Sequence, residues 1–562
     1  MFSISIHNRD YSSWEIEPHD PFQKKSPITF KLFDGDVFNV KSEVEFMDSP
    51  VRQNQNIPGI LILEKNRSYG RTENKKRLLY RCKPFNTQYP HFLIPYEIPM
   101  GFNKNFRNKY VTFRFDHWYD KHPRGILTQN IGDVDDLPSY YEYQLFCRKL
   151  HTPITQALKQ CKIKSAEKSH EEWIQYIMES PQIFGDVTRD NTNNIIAIDP
   201  EVCTDRDDAI AIRKLSENTY KVTVYIANIW VWIEAFDLWS AIGNRISTIY
   251  LPDRKRSMLP TLIAEEYSSL DAGKECFALA MDIIVENGFI TKCEDPLQKL
   301  INVHKHFHYD DPKLFKNKNY QLLETVTKML DKSISDSHDV VAFWMMKMNT
   351  TMAYKMRQKE IGIYRVVQSK NQNQPTASLP SSLKQFVRIW EQKMAGKYEI
   401  FNKGTDLSHT MLELKEYVHF TSPIRRMVDL INHLSWLQSE YTISKTATQF
   451  VEAFEFNMPQ VNAKMSDIKK VQNDCNILYQ VTNEPELLDK LYDAVVLTKH
   501  DELIYSVYIE ELKWITKIYS VEPFDLYSIT KCKIYVFIKE EQLRKKIRVQ
   551  VVYTLEDLKW HA

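Results

Sequence analysis

Between Asn194 and Ile212 the chain passes from an apolar run through an acidic one and back: Ile195-Ile196-Ala197-Ile198, then Asp199-Pro200, then Asp205-Arg206-Asp207-Asp208, then Ala209-Ile210-Ala211-Ile212. Apolar flanks of this length are predicted to be buried strands. The segment between them is then a loop that gathers four aspartates within ten residues at one sheet edge. Like charges a few Å apart cost on the order of 1 to 4 kcal/mol per pair even at surface-like dielectric, so something positive must hold them together. Hard oxygen ligands suit Mg²⁺, with Mn²⁺ as the alternative ion, and a pair of such ions activates water and steadies a leaving oxygen in phosphodiester hydrolysis. A calcium loop of the EF-hand kind does not fit. Counting from Asp199, Thr204 stands where that loop needs Gly and Ile210 where it needs Glu. The plainer alternative, an acidic solvated turn, sits poorly between two apolar segments.

The chain of 562 residues is long enough for about three to five domains and a large core. With 43% hydrophobic residues, 13 Gly and 8 Cys, a disordered chain, a collagen-like repeat and a disulfide mini-scaffold are excluded. The formal net charge of +1 means that any grip on nucleic acid must come from Lys and Arg concentrated in a groove, not from bulk basicity. The cysteines stand far apart with no C-x-x-C pair, which points to free thiols in a reducing compartment. The start, MFSISIHNRD, does not read as a secretory signal, and the greasiest stretch, Val222 to Ile233, falls short of the ~20 residues that span a bilayer. A cytoplasmic protein with no membrane partner is expected.

Short strand-like segments broken by turn residues fill residues 1–57 and again 58–135, the pattern of two small barrels in tandem. Basic and aromatic residues interleave there (Arg77, Tyr80, Arg81, Phe113, Arg114, Phe115, His117, Trp118), which suits base stacking over a charged groove and equally suits a barrel core. Residues 136–189 turn helical, 190–486 alternate buried strands with helices, and 487–562 return to strands, with a basic run at Arg544, Lys545, Lys546 and Arg548.

A second signal lies at Tyr417 to His433, YVHFTSPIRRMVDLINH. Ser422 is a good N-cap and Pro423 a good first helical residue, so a helix is predicted to begin here, with Ile424, Val428, Ile431 and Ser435 on one stripe. That places Arg425 in the first turn, beside unpaired N–H groups that attract phosphate. The alternative is a routine pair between Arg425 and Asp429 along the helix face.

At these two segments the chain resembles the RNB family, the exoribonucleases of RNase II and RNase R type, and most closely the eukaryotic exosome-type members. The match is carried by Asp199-Pro-x4-Asp205-x-Asp207-Asp208-Ala-Ile and by His419-Phe-Thr-Ser-Pro-Ile-Arg425-Arg426 with Asp429 and His433. Weaker stretches follow in family order: His122 to Asp133, Tyr250-Leu251-Pro252, Met258-Leu259-Pro260, Ser269-Leu270 and His409-x4-Leu414. The resemblance implies a multidomain α+β fold in which an RNB catalytic core (190–486) is flanked by OB-type barrels. Two would be cold-shock-like (1–57 and 58–135), followed by the helical connector (136–189), and one would be a C-terminal RNA-binding barrel (487–562). The PIN nuclease domain of exosome-type members is not expected, since the first barrel begins at residue 1.

By the same resemblance, Asp199, Asp205, Asp207 and Asp208 are the catalytic and metal-holding carboxylates, Arg425 contacts the scissile phosphate, and Tyr250 stacks on the 3′-terminal nucleotide. The implied activity is processive, Mg²⁺-dependent hydrolysis of single-stranded RNA from its 3′ end to nucleoside 5′-monophosphates, by a monomer. The alternative is an RNB-fold protein that binds RNA with weak or no cleavage. Metal-free chemistry by His419 and His433, leaving 2′,3′-cyclic ends, is a third reading. The chain departs from the family pattern at Asn228, at Ala342-Phe343, at Met427 and at Leu434, and it lacks the expected His near Tyr364-Arg365-Val366-Val367.

Overall fold

The computed structural model describes residues 1–74, 76–98, 106–243, 245–367, 396–488, 490–539 and 544–553. The chain forms two compact units, one of Met1–His151, Leu251–Asp253 and Lys469–Ala562, the other of Thr152–Tyr250 and Arg254–Ile468.

The first unit opens with β1 (Phe2–Ile6), β2 (Trp14–Glu17), β3 (Val37–Val40) and β4 (Val44–Asp48), an antiparallel sheet in the order β2-β1-β3-β4. Next come β5 (Ile57–Leu61), β6 (Leu78–Pro84), β7 (Phe92–Tyr96), β8 (Lys109–Phe115) and β9 (Gly125–Asp133), in the order β7-β6-β5-β8-β9. A bridge between Leu93 and Arg124 brings the two outer strands of this sheet toward each other. Alternation along β6 buries Tyr80, Cys82 and Pro84 and turns Arg81 and Lys83 outward, the period of a half-buried strand. Both sheets drain into one hydrophobic cluster, in which Ile4, Ile6, Phe33 and Phe38 meet Tyr80, Phe92, Phe113 and Trp118. Of the interleaved aromatics, Tyr80, Phe113 and Trp118 are therefore core, while Arg114 is exposed. The helix Leu137–Cys147 follows, with Asp136 accepting from Ser139 N as its N-cap.

The second unit contains the helices Thr155–Ser165 and His170–Met178, the latter opened by a capping box between Ser169 and Glu172. Its sheet is built from β10 (Thr188–Arg189), β11 (Ile196–Asp199), β12 (Asp208–Lys214) and β13 (Thr219–Ala227). A small hairpin, β14 (Ile249–Tyr250) and β15 (Lys255–Arg256), precedes β16 (Glu275–Glu286), β17 (Phe289–Cys293), β18 (Leu297–Asn302) and β19 (Lys305–His308). The sheet order is β10-β18-β16-β13-β12-β11-β19, with β17 on β16. Its pairs are antiparallel except β10–β18 and β11–β19. β13 is buried from Val222 to Ala227, as expected of a strand covered on both faces. The helices Lys318–Leu330, Ser337–Gln358, Met427–Glu440 and Lys445–Phe456 belong to the same unit, with a two-stranded pair of β20 (Ile363–Val366) and β21 (Lys397–Ile400).

The chain ends in β22 (Leu491–Asp501), β23 (Ile504–Ile509), β24 (Trp514–Tyr519), β25 (Ile529–Lys539) and β26 (Arg544–Val551), an antiparallel sheet in the order β24-β23-β22-β25-β26 around Tyr492, Val507, Trp514 and Ile534. The Arg548 guanidinium lies over the rings of Tyr519 and Phe537 at 5.3 and 5.8 Å, and the side chains of Arg544, Lys545 and Lys546 lie outside the described residues. None of the eight cysteines, all among the described residues, is in a disulfide. Among the described residues, no helix is long and apolar enough to cross a membrane.

Candidate active site

The acidic segment is placed by its greasy flanks. Ile196, Ala197 and Ile198 of β11 and Ala209 to Ile212 of β12 are buried, which fixes the two strands as an antiparallel pair with Ile196 opposite Ile210. Asp199 ends β11 and Asp208 opens β12. On the far side of each strand, Asp199 is in register with His308 of β19 and Asp208 with Ile226 of β13. The connecting loop is held by backbone and side-chain bonds: Cys203 N donates to Pro200 O at 3.0 Å, Arg206 N to Ser269 Oγ at 3.0 Å, and Ala227 N to Asp207 O at 2.8 Å. Arg206 is clamped through Nη1 on Asp271 Oδ1 at 2.5 Å and leaves its Nε 3.9 Å from Asp199.

The four carboxylates share this sheet end but not one partner. Asp207 is buried, and its oxygens accept from Ile424 N at 2.8 Å and from Arg425 Nε at 3.0 Å. Asp205, also buried, accepts from Lys255 Nζ at 2.7 Å. Asp199 Oδ2 is buried with no hydrogen-bond partner, and the Asp208 carboxylate, on a residue whose backbone pairs with Ile226, makes no hydrogen bond or ion pair to a described side chain. Burial pushes the Asp199 carboxyl up to about 6, against the pull of Arg206. Burial pushes Asp207 up to about 7, outweighing the opposing pull of Arg425. Asp208 is driven well above the usual carboxylate range, first by burial and then by the charges of Asp199 and Asp207.

Arg425 is positioned otherwise than the sequence suggested. The helix begins at Met427, with Arg426 as N-cap in an extended conformation, not at Ser422 and Pro423. The reason is tertiary. Thr248 N donates to Arg425 O at 3.0 Å and Met427 N to Ile246 O at 2.9 Å, so Arg426 makes an isolated antiparallel bridge with Ser247. Ser422 Oγ accepts from Arg425 Nη2 at 2.9 Å in place of capping a backbone N–H. The routine i,i+3 pair is made by Arg426, whose Nη2 donates to the fully buried Asp429 at 2.9 Å, while Arg425 turns to Asp207. The Arg425 side chain remains 45% exposed. Tyr250, on the β14–β15 hairpin opposite Lys255, is likewise 45% exposed. Burial raises its hydroxyl, with Arg425 opposing and Asp205 and Asp207 adding to the shift.

His433 is fully buried and bonded to Phe420 O at 2.7 Å, and His419 is bonded to the Tyr398 hydroxyl at 2.8 Å. Burial holds His433 at about 4 and His419 well below its usual range, which suits fixed structural rings and not an acid–base pair. The departures also have structural partners. Asn228 is buried and donates to Gln298 at 2.8 Å, and Met427 and Leu434 are fully buried core.

Three residues near the carboxylates carry no signal in the sequence. Tyr309 follows β19, and its hydroxyl is raised by burial and by Asp208 and Asp199. Its ring stacks on His338 at 3.7 Å, and both line a cavity of about 570 Å³ with Pro200, Glu201 and Lys313. The third is Lys255. Only the parallel pairing of β19 with β11 and the hairpin register bring these distant positions to the acidic loop, and neither is written locally.

The donor set bears on a divalent ion. Asp208 offers hard oxygens that no described cation engages and Asp199 is met only by Arg206 Nε at 3.9 Å, which fits Mg²⁺ or Mn²⁺, while Asp205 and Asp207 are already engaged at hydrogen-bond distance by Lys255 and Arg425. Among the described residues, no three His, Cys, Asp or Glu side chains are gathered into a ready-made metal site.

This sheet-end arrangement falls within residues 188–314 and 294–438, which match the family model for the RNB domain. These residues are similar to an RNB domain. It is similar to DIS3-like exonuclease 2 of Schizosaccharomyces pombe, at 30% identity over 168 residues, covering 29% of this chain and 17% of that protein. The matched stretch thus spans about a sixth of that relative's length. Among solved structures, RNase R of Mycoplasma genitalium in complex with ribose methylated single-stranded RNA matches with a TM-score of 0.67 at 15% identity, covering 98% of this chain and 100% of that one. Yeast Ssd1, a pseudonuclease, matches with a TM-score of 0.54 at 16% identity, covering 92% and 71%. The fold is therefore shared by an RNase and a pseudonuclease, and activity has to be argued from the side chains.

Proposed function

We propose that this chain is a divalent-metal-dependent 3′ to 5′ exoribonuclease that hydrolyses single-stranded RNA processively to nucleoside 5′-monophosphates. The observation that carries the reading is the juxtaposition of Asp199 and Asp208 at the β11–β12 end, with Asp199 Oδ2 buried without a hydrogen-bond partner and Asp208 unpaired among the described residues. Two crowded carboxylates in that state call for a doubly charged partner. Asp199 and Asp208 would hold Mg²⁺ or Mn²⁺, with Asp205 and Asp207 as further acidic groups of the centre. When bound, the ion supplies charge at the phosphate and a water of lowered pKa.

The chain's own residues do the rest. Arg425, anchored through Nε on Asp207 and Nη2 on Ser422, presents its half-exposed guanidinium to the scissile phosphate, where it offsets charge that develops as the bond breaks. Tyr250 presents an exposed ring for stacking on the terminal base. The N-terminal sheets (1–57, 58–135) and the C-terminal sheet (487–562) act as OB-type RNA-binding barrels, joined by the connector (136–189) to the catalytic core (190–486). The protein acts as a monomer in the cytoplasm. The similar RNase R is in complex with ribose methylated single-stranded RNA, which supports this choice of polymer.

A second reading, RNA binding without cleavage, draws on one observation: Lys255 and Arg425 already neutralise two of the four carboxylates. Incubation of the protein with 5′-labelled poly(A) and Mg²⁺ separates the two. A ladder ending in a short oligonucleotide together with released mononucleotide supports catalysis. Binding with no product supports the second.

A further inference from the structure

Lys255 stands in register with Tyr250 across the β14–β15 hairpin and reaches into the acidic loop. Its Nζ donates to Asp205 Oδ1 at 2.7 Å and to Thr204 Oγ1 at 2.7 Å, and stands 2.8 Å from Glu265 Oε1. The Thr204 hydroxyl closes the ring by donating to Glu265 Oε1 at 2.8 Å. Asp205 is 8% exposed. For a carboxylate so buried, loss of its counter-charge leaves an uncompensated ion in a poorly solvated place. In this structure the counter-charge is the lysine. Asp205 acts electrostatically on Asp199, so a divalent ion drawn to Asp199 and Asp208 would attract the Asp205 carboxylate and repel the ammonium bound to it.

We propose that Lys255 is an internal cation that competes with the divalent ion for Asp205 and so sets the affinity of the centre. This rests on the reading of Asp199 and Asp208 as the ion-holding pair. Lys255 is a positioning residue in this scheme: it touches no substrate and acts through the carboxylate it occupies. With the lysine in place, Asp205 is withheld and the ion is held by fewer oxygens. With it gone, Asp205 is left as a buried, unpaired oxygen donor turned over to the ion.

The test is Mn²⁺ titration of the full chain without RNA, followed by the loss of the free-ion electron paramagnetic resonance signal. Lys255→Met is expected to tighten Mn²⁺ binding about tenfold, from removal of one nearby positive charge and gain of one ligand. Lys255→Gln, which keeps hydrogen-bonding capacity at the site, is expected to do the same if the methionine variant does not fold. Lys255→Arg is expected to stay near wild type, and adding Asp205→Asn to Lys255→Met is expected to remove the gain. Unchanged or weaker binding in the folded neutral variant overturns the proposal. The Asp199→Asn/Asp208→Asn double variant reports on the underlying reading. If it keeps wild-type Mn²⁺ affinity, the ion centre itself is misassigned. If it loses affinity while the neutral Lys255 variants match wild type, only the competition fails.

Discussion

Arg425 Nε lies 3.0 Å from Asp207 Oδ2, an ion pair between residues 218 positions apart that joins the acidic loop to the segment before the helix Met427–Glu440. Ile424 N donates to the other oxygen of the same carboxylate at 2.8 Å. The pair fixes where the guanidinium points, and that direction is what a phosphate-contacting arginine needs.

Arg425→Ala is therefore expected to lower the rate of RNA hydrolysis by about 10²- to 10³-fold. RNA affinity is expected to change far less. Arg425→Lys should recover little, because one ammonium cannot hold Asp207 and Ser422 and still reach a phosphate. Single-turnover rates and binding constants of the three proteins check this. A loss confined to affinity would reassign Arg425 to RNA capture.

Tyr250→Ala is expected to leave longer terminal oligonucleotides while the first cleavages proceed at near wild-type rate. An exposed ring that stacks on the last base matters most when few other contacts hold a short RNA. Resolving end products by length on a denaturing gel checks it, and an unchanged final length removes Tyr250 from that role.

The acidic centre was legible because chemistry and burial coincide in one contiguous stretch: Asp199 to Asp208 lie between two runs that could only be buried strands. The segment at Ser422 to Asp429 was legible as a motif and misread as local structure. Ser422 and Pro423 carry the local marks of a helix start, yet hydrogen bonds to Ile246 and Thr248 flank an extended Arg426 and delay the helix to Met427. Cap preferences are weak beside tertiary pairing of that kind. The partners of the two arginines are exchanged for the same reason: with Arg426 extended just before the helix, Arg426 takes Asp429 and Arg425 turns to Asp207. Lys255, Tyr309 and His338 were invisible because each is ordinary in its own surroundings and meaningful only through strand register.

The pH dependence of stability has a defined sign. In the folded protein Asp199 sits at about 6 and Asp207 at about 7, both above the usual 3.8. The folded state then binds more protons than the unfolded one between these values. The stability this contributes is whole below about pH 4 and is lost as pH rises through about 6 and about 7. In EDTA, the unfolding midpoint of wild type is expected to fall more between pH 5 and 8 than that of Asp207→Asn, by calorimetry or circular dichroism. Saturating Mg²⁺ should flatten the wild-type slope as the ion replaces the protons. An Asp207→Asn slope equal to wild type in EDTA contradicts the assignment.

Asp429 is fully buried, with Ser422 N donating to Oδ1 at 2.8 Å, Arg426 Nη2 donating to Oδ1 at 2.9 Å and Arg426 Nε standing 2.9 Å from Oδ2. Asp429→Ala is expected to destabilise the unit that contains it by about 3 to 5 kcal/mol, because the Arg426 charge is left without its partner. Arg426→Ala should cost a similar amount, and the double variant less than the sum. Denaturant unfolding of the three variants measures this, and additive losses would show that the two side chains do not act as a pair.

The most direct measurement is the metal dependence and end chemistry of the reaction on 5′-labelled single-stranded RNA, run on wild type and Asp208→Asn together. The expected result is stepwise shortening from the 3′ end with release of nucleoside 5′-monophosphates, abolished by EDTA and restored by Mg²⁺ or Mn²⁺, and absent in Asp208→Asn, which still binds RNA. Wild-type turnover in Asp208→Asn, cyclic phosphate ends made in EDTA, or tight binding with no product from the wild-type protein would contradict it.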